Sequence, residues 1–370
     1  MIIECSKCLM NSNIKEIFFN EDKICNFCLE HKKFYKCFTE LEVTKNLQSL
    51  TNKISKKNIK SLYDCIVGLS GGCDSSYVIY LLYKMKLKPL IIHLDNGWNE
   101  SLAYSNINKI LEKTKFDYKT IILDWSEFRD LQRSFLKSGV PDIEILTDHA
   151  ILASIIKVAK NENIKYIISG VNFATEHAVI PSWGWRKDDY LHIESIQKKF
   201  GTLKIKNFPK MYPYTKFLNE KILKQIEFIN ILDFINYNTI EAKKDLKKEF
   251  DWNDYIYKHH ESFFTMFFEK YILRKKFRID KRILHFSNLI RNKEMTKYQA
   301  EILIKNEDLS NDNIKVLNDI KYFKKKLILN DKEYEEIMNS TPNEHSNYSM
   351  DIYSSPLFNL IKKTLNFIFK

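Results

Sequence analysis

The chain has 370 residues, 44% hydrophobic and 14% aromatic, which is enough apolar material for a sizeable core and enough length for two or three folded units. Charged residues make up 29%, an ordinary level for a soluble protein, and no run of about 18 apolar residues offers a membrane-spanning helix. The start, MIIECSKCLMNSN, lacks the basic and apolar stretches of a secretory signal, so a cytoplasmic protein is expected. The net charge of +12 suits phosphates of any kind, but it also reflects a Lys-, Ile- and Asn-rich composition, and DNA is not an expected partner.

In chain order, residues 1–40 come first as a small appended module. All seven cysteines lie in the first 73 residues, and Cys5-x2-Cys8 with Cys25-x2-Cys28 makes two knuckles. That spacing suits one tetrahedral zinc ion held by four thiolates in a zinc-ribbon-like fold, with an iron–sulfur site as the main rival. Residues 41–60 are polar and basic and predict a lead-in helix. Residues 63–69 (YDCIVGL) predict a strand, followed by SGGCDSS and the apolar-periodic helix YVIYLLYKMK. Further strands are predicted at 89–94, 118–123 and 166–169, and helices at 101–115 and 149–161. Strands alternating with helices imply an α/β domain over 41–215, a doubly wound parallel sheet whose ligand site lies at the carboxyl ends of its strands. From about residue 216 strand signals fade. A helical region is expected over 216–310, then a helical extension of unassigned role over 311–370. Within that extension, 339–354 reads as polar and loose. Leu357, Ile361, Leu365 and Ile368 share one helical face, for docking on the protein's own core or on a partner.

The strongest motif is Ser70-Gly71-Gly72-Cys73-Asp74-Ser75-Ser76 between the first strand and its helix. Two glycines let the backbone turn and bring N–H groups to a phosphate, the helix start adds partial positive charge, and Ser70, Ser75 and Ser76 offer hydroxyls. Asp74, a carboxylate where anions bind, makes sense as a Mg²⁺ holder. No Gly-Lys-Ser/Thr ending follows, so this is not a Walker A loop. The string resembles the pyrophosphate loop of the N-type ATP-pyrophosphatases. That resemblance implies an adenine-nucleotide α-hydrolase-like fold and attack on the α-phosphorus of ATP.

The second strand ends in Asp95-Asn96-Gly97-Trp98, able to meet base or ribose. The fourth ends in Gly170-Val171-Asn172, with Glu176 following, polar groups placed for the reacting oxygen and α-phosphate. Trp183 and Trp185 flank a glycine and suit stacking on a sugar-like ligand, or a purely structural role. DNGW, GVNFATE, PSWGW and KKFGTLKIKNFP together resemble the N-acetyl sugar amidotransferases of the WbpG/PseA type. So do Ile235-Asn236-Tyr237, Asp251-Trp252-Asn253-Asp254-Tyr255, Lys258-His259-His260-Glu261-Ser262, Lys276–Arg282 and His285–Ile290. The resemblance spans roughly residues 1–305. The chain departs from it at Asp251 and near Arg278, where the family carries glycine.

What the resemblance implies is conversion of an acetamido group on a bacterial surface-polysaccharide sugar (free or nucleotide-linked, a nonulosonic acid among the candidates) to an acetamidino group. ATP adenylates the amide oxygen and ammonia displaces AMP. Lys258, Lys276, Lys281 and Arg282 would close over the phosphates, and His259 and Glu261 would serve the substrate. No cysteine follows Cys73, so a separate HisH-like glutaminase, with a HisF-like subunit as a further candidate, is the expected ammonia source. The main rival is tRNA thiolation. It is disfavoured because that chemistry needs reactive cysteines in the catalytic half.

Overall fold

The computed structural model describes residues 2–55, 61–255, 261–306 and 314–351. Lys258, His259 and the apolar face 357–368 lie outside the described residues.

Antiparallel bridges Glu4↔Asn11 and Phe19↔Cys25 fold the two cysteine knuckles together, and α1 (Asn26–Phe34) starts directly after Cys25. A Thr39/Glu42 capping box starts α2 (Glu40–Ile54), the predicted lead-in helix. Then β1 (Cys65–Gly68), α3 (Cys73–Lys84), β2 (Pro89–Asp95), α4 (Ser101–Thr114), β3 (Asp117–Ile122), α5 (Trp125–Ser138), α6 (Ile145–Asn161) and β4 (Tyr166–Ser169) follow. After the short α7 (Phe173–Glu176) come α8 (Tyr190–Phe200), α9 (Pro213–Phe217), β5 (Glu227–Asn230) and α10 (Thr239–Phe250). The rest is helical: α11 (Phe263–Phe267), α12 (Leu273–Lys276), α13 (Lys281–Arg291), α14 (Lys297–Lys305), α15 (Ile314–Leu327) and α16 (Asp331–Asn339). No described helix is long and apolar enough to cross a membrane.

The sheet order is β3-β2-β1-β4-β5, with every pair parallel. Strand β5 corrects the expectation that strands end before residue 216. Its four residues pair only with β4 at the sheet edge, and so short a run has no periodicity to tell strand from helix. Side chains alternate across β1: Ile66 packs with Ala153 and Ile156 of α6, while Cys65 and Val67 pack with α3, α4 and α10. Helices therefore cover both faces, as the alternation predicts.

The largest core lies beyond the sheet. Trp98 is fully buried there, stacked near Phe263 and Phe323, and its indole N–H donates to Gln132 Oε1 at 2.9 Å. The Trp of the DNGW string thus pins the end of β2 to α11 and α15. Residues 340–351, expected to be loose, are held instead. Asn343 N–H donates to Gly139 O, His345 bonds His192 at 2.9 Å, and Asp351 N–H donates to Asp189. Polar segments read as loose in sequence because buried partners cannot be seen there. At Asp251 and Arg278 the backbone keeps φ of 53° and 58°, the left-handed conformation that suits glycine and costs other residues about 1–2 kcal/mol. Ion pairs from Asp251 to Lys109 and Lys247 offset part of that cost.

Candidate functional site

The loop after β1 is locked by its own hydrogen bonds. Gly71 has φ +86°, and a Cβ there would lie 2.7 Å from the Ala103 carbonyl oxygen. Its carbonyl accepts from Trp252 Nε1 at 3.0 Å, Tyr255 OH at 3.2 Å and Asn106 Nδ2 at 3.4 Å. Ser70 Oγ accepts from Gly72 N–H at 3.2 Å and meets Ser75 Oγ at 3.0 Å. Helix α3 has Gly72 as its N-cap with no side-chain cap, so its first N–H groups are left for an anion.

Two cavities meet at this loop. The larger, about 580 Å³, opens between the ends of β1 and β4, where the strand order reverses, which is the expected ligand crevice of such a sheet. Its lining includes Gly72, Asp74, Gly170, Glu176, Arg282 and His285. The smaller, about 350 Å³, lies between the ends of β1 and β2 beside α6 and includes Gly68, His93, Asn96, Glu144 and Thr147. Ser70, Ser75, Glu261, Glu269 and Lys281 line both.

Charge is concentrated where the cavities join. Lys281 donates to Glu269 at 2.8 Å. Burial works against its charge, but Glu269, Asp142 and Glu144 outweigh that and hold the ammonium above its ordinary pKa. Tyr237 OH donates to Asp74 Oδ1. Burial and then the Asp74 carboxylate push the phenol well above its ordinary value, so it stays a donor. Burial and then Asp74 raise the Cys73 thiol to about 12, which makes it a poor nucleophile at neutral pH.

Glu144 presents Oε1, buried without a hydrogen-bond partner, while its other oxygen accepts from Thr265 Oγ1 at 3.1 Å. Burial, Asp148 and Glu269 push its carboxyl up to about 8. A raised carboxyl pKa means that the folded state binds the proton more tightly than the unfolded chain. Stability therefore falls as pH rises from about 4 to about 8 and levels off above. Glu144→Gln is expected to remove that decline, gaining on the order of a few kcal/mol over the parent at pH 8 and little at pH 5. Urea denaturation across that range checks it, and parallel stability curves would refute it.

Several expected site residues are placed elsewhere. Asn172 is buried and caps α7, accepting from Thr175 N–H at 2.8 Å and donating to Gly170 O, so it does not line either cavity. Ser76 is fully buried under the loop. Lys276 donates to Ser340 Oγ and Ile337 O, not into a cavity. Trp185 stacks on His345 and donates to Asp189, and Trp183 packs between two hydrophobic cores; neither lines either of these two cavities. Asp95 accepts from Gly97 N–H and Tyr104 OH, while Gly97, at φ +80° against Trp125, shapes the turn, so of this string only Asn96 reaches a cavity. Conversely, Glu144, Lys243, Glu269 and Lys270 were not singled out by sequence, and Tyr237 was read only as part of a family string and given no role. They sit on helices and a turn with ordinary periodicity, and only the fold gathers them.

The four knuckle cysteines converge. Their sulfurs lie within 4.8 Å of one another, with Cys8–Cys25 at 3.7 Å and Cys5–Cys28 at 3.9 Å. Four thiolates on one tetrahedral ion at about 2.3 Å would be about 3.8 Å apart, so the set fits a single ion. Backbone N–H groups of Lys7 and Cys25 point at Cys5 Sγ, at 3.4 and 3.3 Å, as a thiolate acceptor needs. Cys25→Ser is expected to drop metal content from one ion per chain to near zero and lower the melting temperature; elemental analysis checks it. Iron with labile sulfide in the purified protein would contradict a single zinc ion.

The family model described as LPS biosynthesis protein WbpG-like, C-terminal domain, matches residues 261–364. Described residues of the matched segment supply Glu261, Lys270, Lys281, Arg282, Phe286 and Leu289 to the larger cavity, so that segment forms one wall of the site. No curated protein matches the sequence. Among solved structures, NMN synthetase from Francisella tularensis is similar over 83% of this chain and 99% of its own, at 14% identity and a TM-score of 0.36. The U34-tRNA thiolase NcsA from Methanococcus maripaludis, with its [4Fe-4S] cluster, is similar over 89% and 99%, at 14% identity and a TM-score of 0.32. The NH3-dependent NAD synthetase from Campylobacter jejuni is similar over 57% and 94%, at 17% identity and a TM-score of 0.30.

Proposed function

We propose that the protein is an ATP-dependent amidotransferase that turns the acetamido group of a bacterial surface-polysaccharide sugar into an acetamidino group. The observation that carries this reading is the glycine-turned loop opening onto two joined cavities, one walled by the segment that the WbpG-like model matches. The smaller cavity, with His93, Asn96 and the carboxyl of Glu144, suits a nucleoside rich in hydrogen-bonding groups. The α-phosphate then falls at the junction by Ser70, Ser75 and Lys281. The β- and γ-phosphates meet the start of α3, with Asp74 facing the Mg²⁺ that accompanies the nucleotide. The acceptor sugar occupies the rest of the larger cavity, whose Phe286, Leu289 and Met295 wall suits its methyl group.

In the reaction, the amide oxygen attacks the α-phosphorus and the bond to the β-phosphate oxygen breaks, releasing pyrophosphate. Lys281 and the N–H groups at the start of α3 stabilise the charge on that leaving group. Ammonia adds to the imidate carbon, AMP leaves with the former amide oxygen, and the basic amidine keeps a proton. Ammonia must arrive as the free base, which suits delivery by a HisH-like glutaminase and shielding from water. Cys73 does not favour thiolation, since its thiol is held up to about 12.

The test incubates the protein with ATP, Mg²⁺, ammonium and candidate N-acetyl sugars. AMP with a sugar lighter by the exchange of oxygen for NH is expected. Glutamine alone should give no product until a glutaminase is added. ADP formation, or AMP without any sugar change across the panel, would overturn the reading.

A further inference from the structure

Helix α13 faces two ways. Arg282, His285, Phe286 and Leu289 recur at helical spacing and line the larger cavity. On the opposite side, Ile283 and Leu284 pack against the apolar shell of the four-cysteine centre, and Ser287 Oγ accepts from Leu9 N–H at 3.2 Å. Arg291 closes that face. Its Nη1 donates to Cys8 Sγ at 3.6 Å and reaches Cys28 Sγ at 4.0 Å. Its Nη2 donates to Asn288 Oδ1, and Asn288 Nδ2 donates to the Thr175 carbonyl at 2.7 Å. Thr175 belongs to α7, which brings Glu176 to the cavity. One guanidinium therefore joins the cysteine centre to both elements that flank the loop from the far side.

The charge balance gives this contact its strength. Four thiolates on one divalent ion carry two net negative charges. A facing guanidinium is the natural counter-charge, and charged N–H donors to thiolates orient the ligands as well as themselves. Neutral thiols would hold Arg291 far less firmly. We propose that Arg291 is a positioning residue that couples metal occupancy at Cys5, Cys8, Cys25 and Cys28 to the shape of the catalytic cavity. The loaded centre holds Arg291, Arg291 with Asn288 holds α13 and α7, and α13 presents Lys281 and Arg282 to the phosphates. The centre is then more than a clasp for the N-terminal module. The coupling rests on the phosphate reading of the cavity only for its affinity readout.

The test uses the full chain with Arg291→Met and Arg291→Lys. It reads metal content, amide hydrogen exchange over 281–291 and 173–176, and calorimetric binding of inorganic pyrophosphate. Arg291→Met is expected to keep its metal, to exchange about tenfold faster in both segments and to bind pyrophosphate about tenfold more weakly, with Arg291→Lys recovering much of each. Chelating the metal from the parent should produce the same exchange change, and chelation should add little to the Met variant. If Arg291→Met keeps its metal and exchanges like the parent, the proposal fails. If it loses its metal, Asn288→Ala decides: it leaves the sulfur contacts intact, and unchanged exchange at 173–176 would overturn the coupling. Faster exchange in a protein whose parent form binds no pyrophosphate would support the coupling and overturn the phosphate reading instead.

Discussion

Asp74→Asn is expected to reduce AMP formation by at least about a hundredfold while leaving the fold within about 1 kcal/mol of the parent. The substitution keeps shape and keeps an acceptor for Tyr237 OH, so the contact that fixes the side chain survives. What disappears is one negative charge in the first turn of α3, beside the phosphate-facing N–H groups. A carboxylate at a helix start that also receives an anion is repulsive unless a cation lies between them, so its natural role is toward the metal ion accompanying the nucleotide. The measurement is AMP release under saturating ATP at several Mg²⁺ concentrations, with thermal melting alongside. A variant with near-normal AMP release at all of them would remove Asp74 from the chemistry.

Lys281→Met is expected to lower kcat/KM for ATP by about 10²–10³-fold and to cost about 3 kcal/mol of stability, because it strips one charge from the junction and breaks the buried Lys281–Glu269 ion pair. The two losses have different causes and separate cleanly. Lys281→Met combined with Glu269→Gln removes the charge that Lys281 balanced, so part of the stability should return while activity stays low. Denaturation curves and steady-state kinetics on the three variants provide the check. Recovery of activity in the double variant would show that Lys281 serves the ion pair and not the phosphates. Equal loss in Lys276→Met would also count against the assignment, since Lys276 bonds Ser340 and Ile337 and lines neither cavity.

Local chemistry was legible in the sequence wherever it is written in consecutive residues. Ser70 to Ser75 announces itself because glycine and hydroxyl residues at fixed spacing serve a backbone that must turn and expose N–H groups. The two Cys-x2-Cys knuckles do so because four thiolates at that spacing have few alternatives to one ion. The alternation of strands and helices up to β4 was readable, except for α5 (Trp125–Ser138), because period-2 and period-3.6 burial persist over whole elements. Strand β5 was not, being four residues at an edge. Asn172, Trp183 and Trp185 stand in strings that resemble a family's site, yet the tertiary structure uses them to cap a short helix and fill core. Glu144 and Glu269 show the converse, each with unremarkable neighbours in sequence, while Lys281 was read from its string but its buried ion pair with Glu269 was not. They become a charged junction only because three separate helical segments deliver them to the same few ångströms, where burial makes every charge depend on the next. The two faces of α13 follow the same logic. Helical spacing could say which side chains share a face, but only packing decided that one face meets a cavity and the other the four-cysteine cluster.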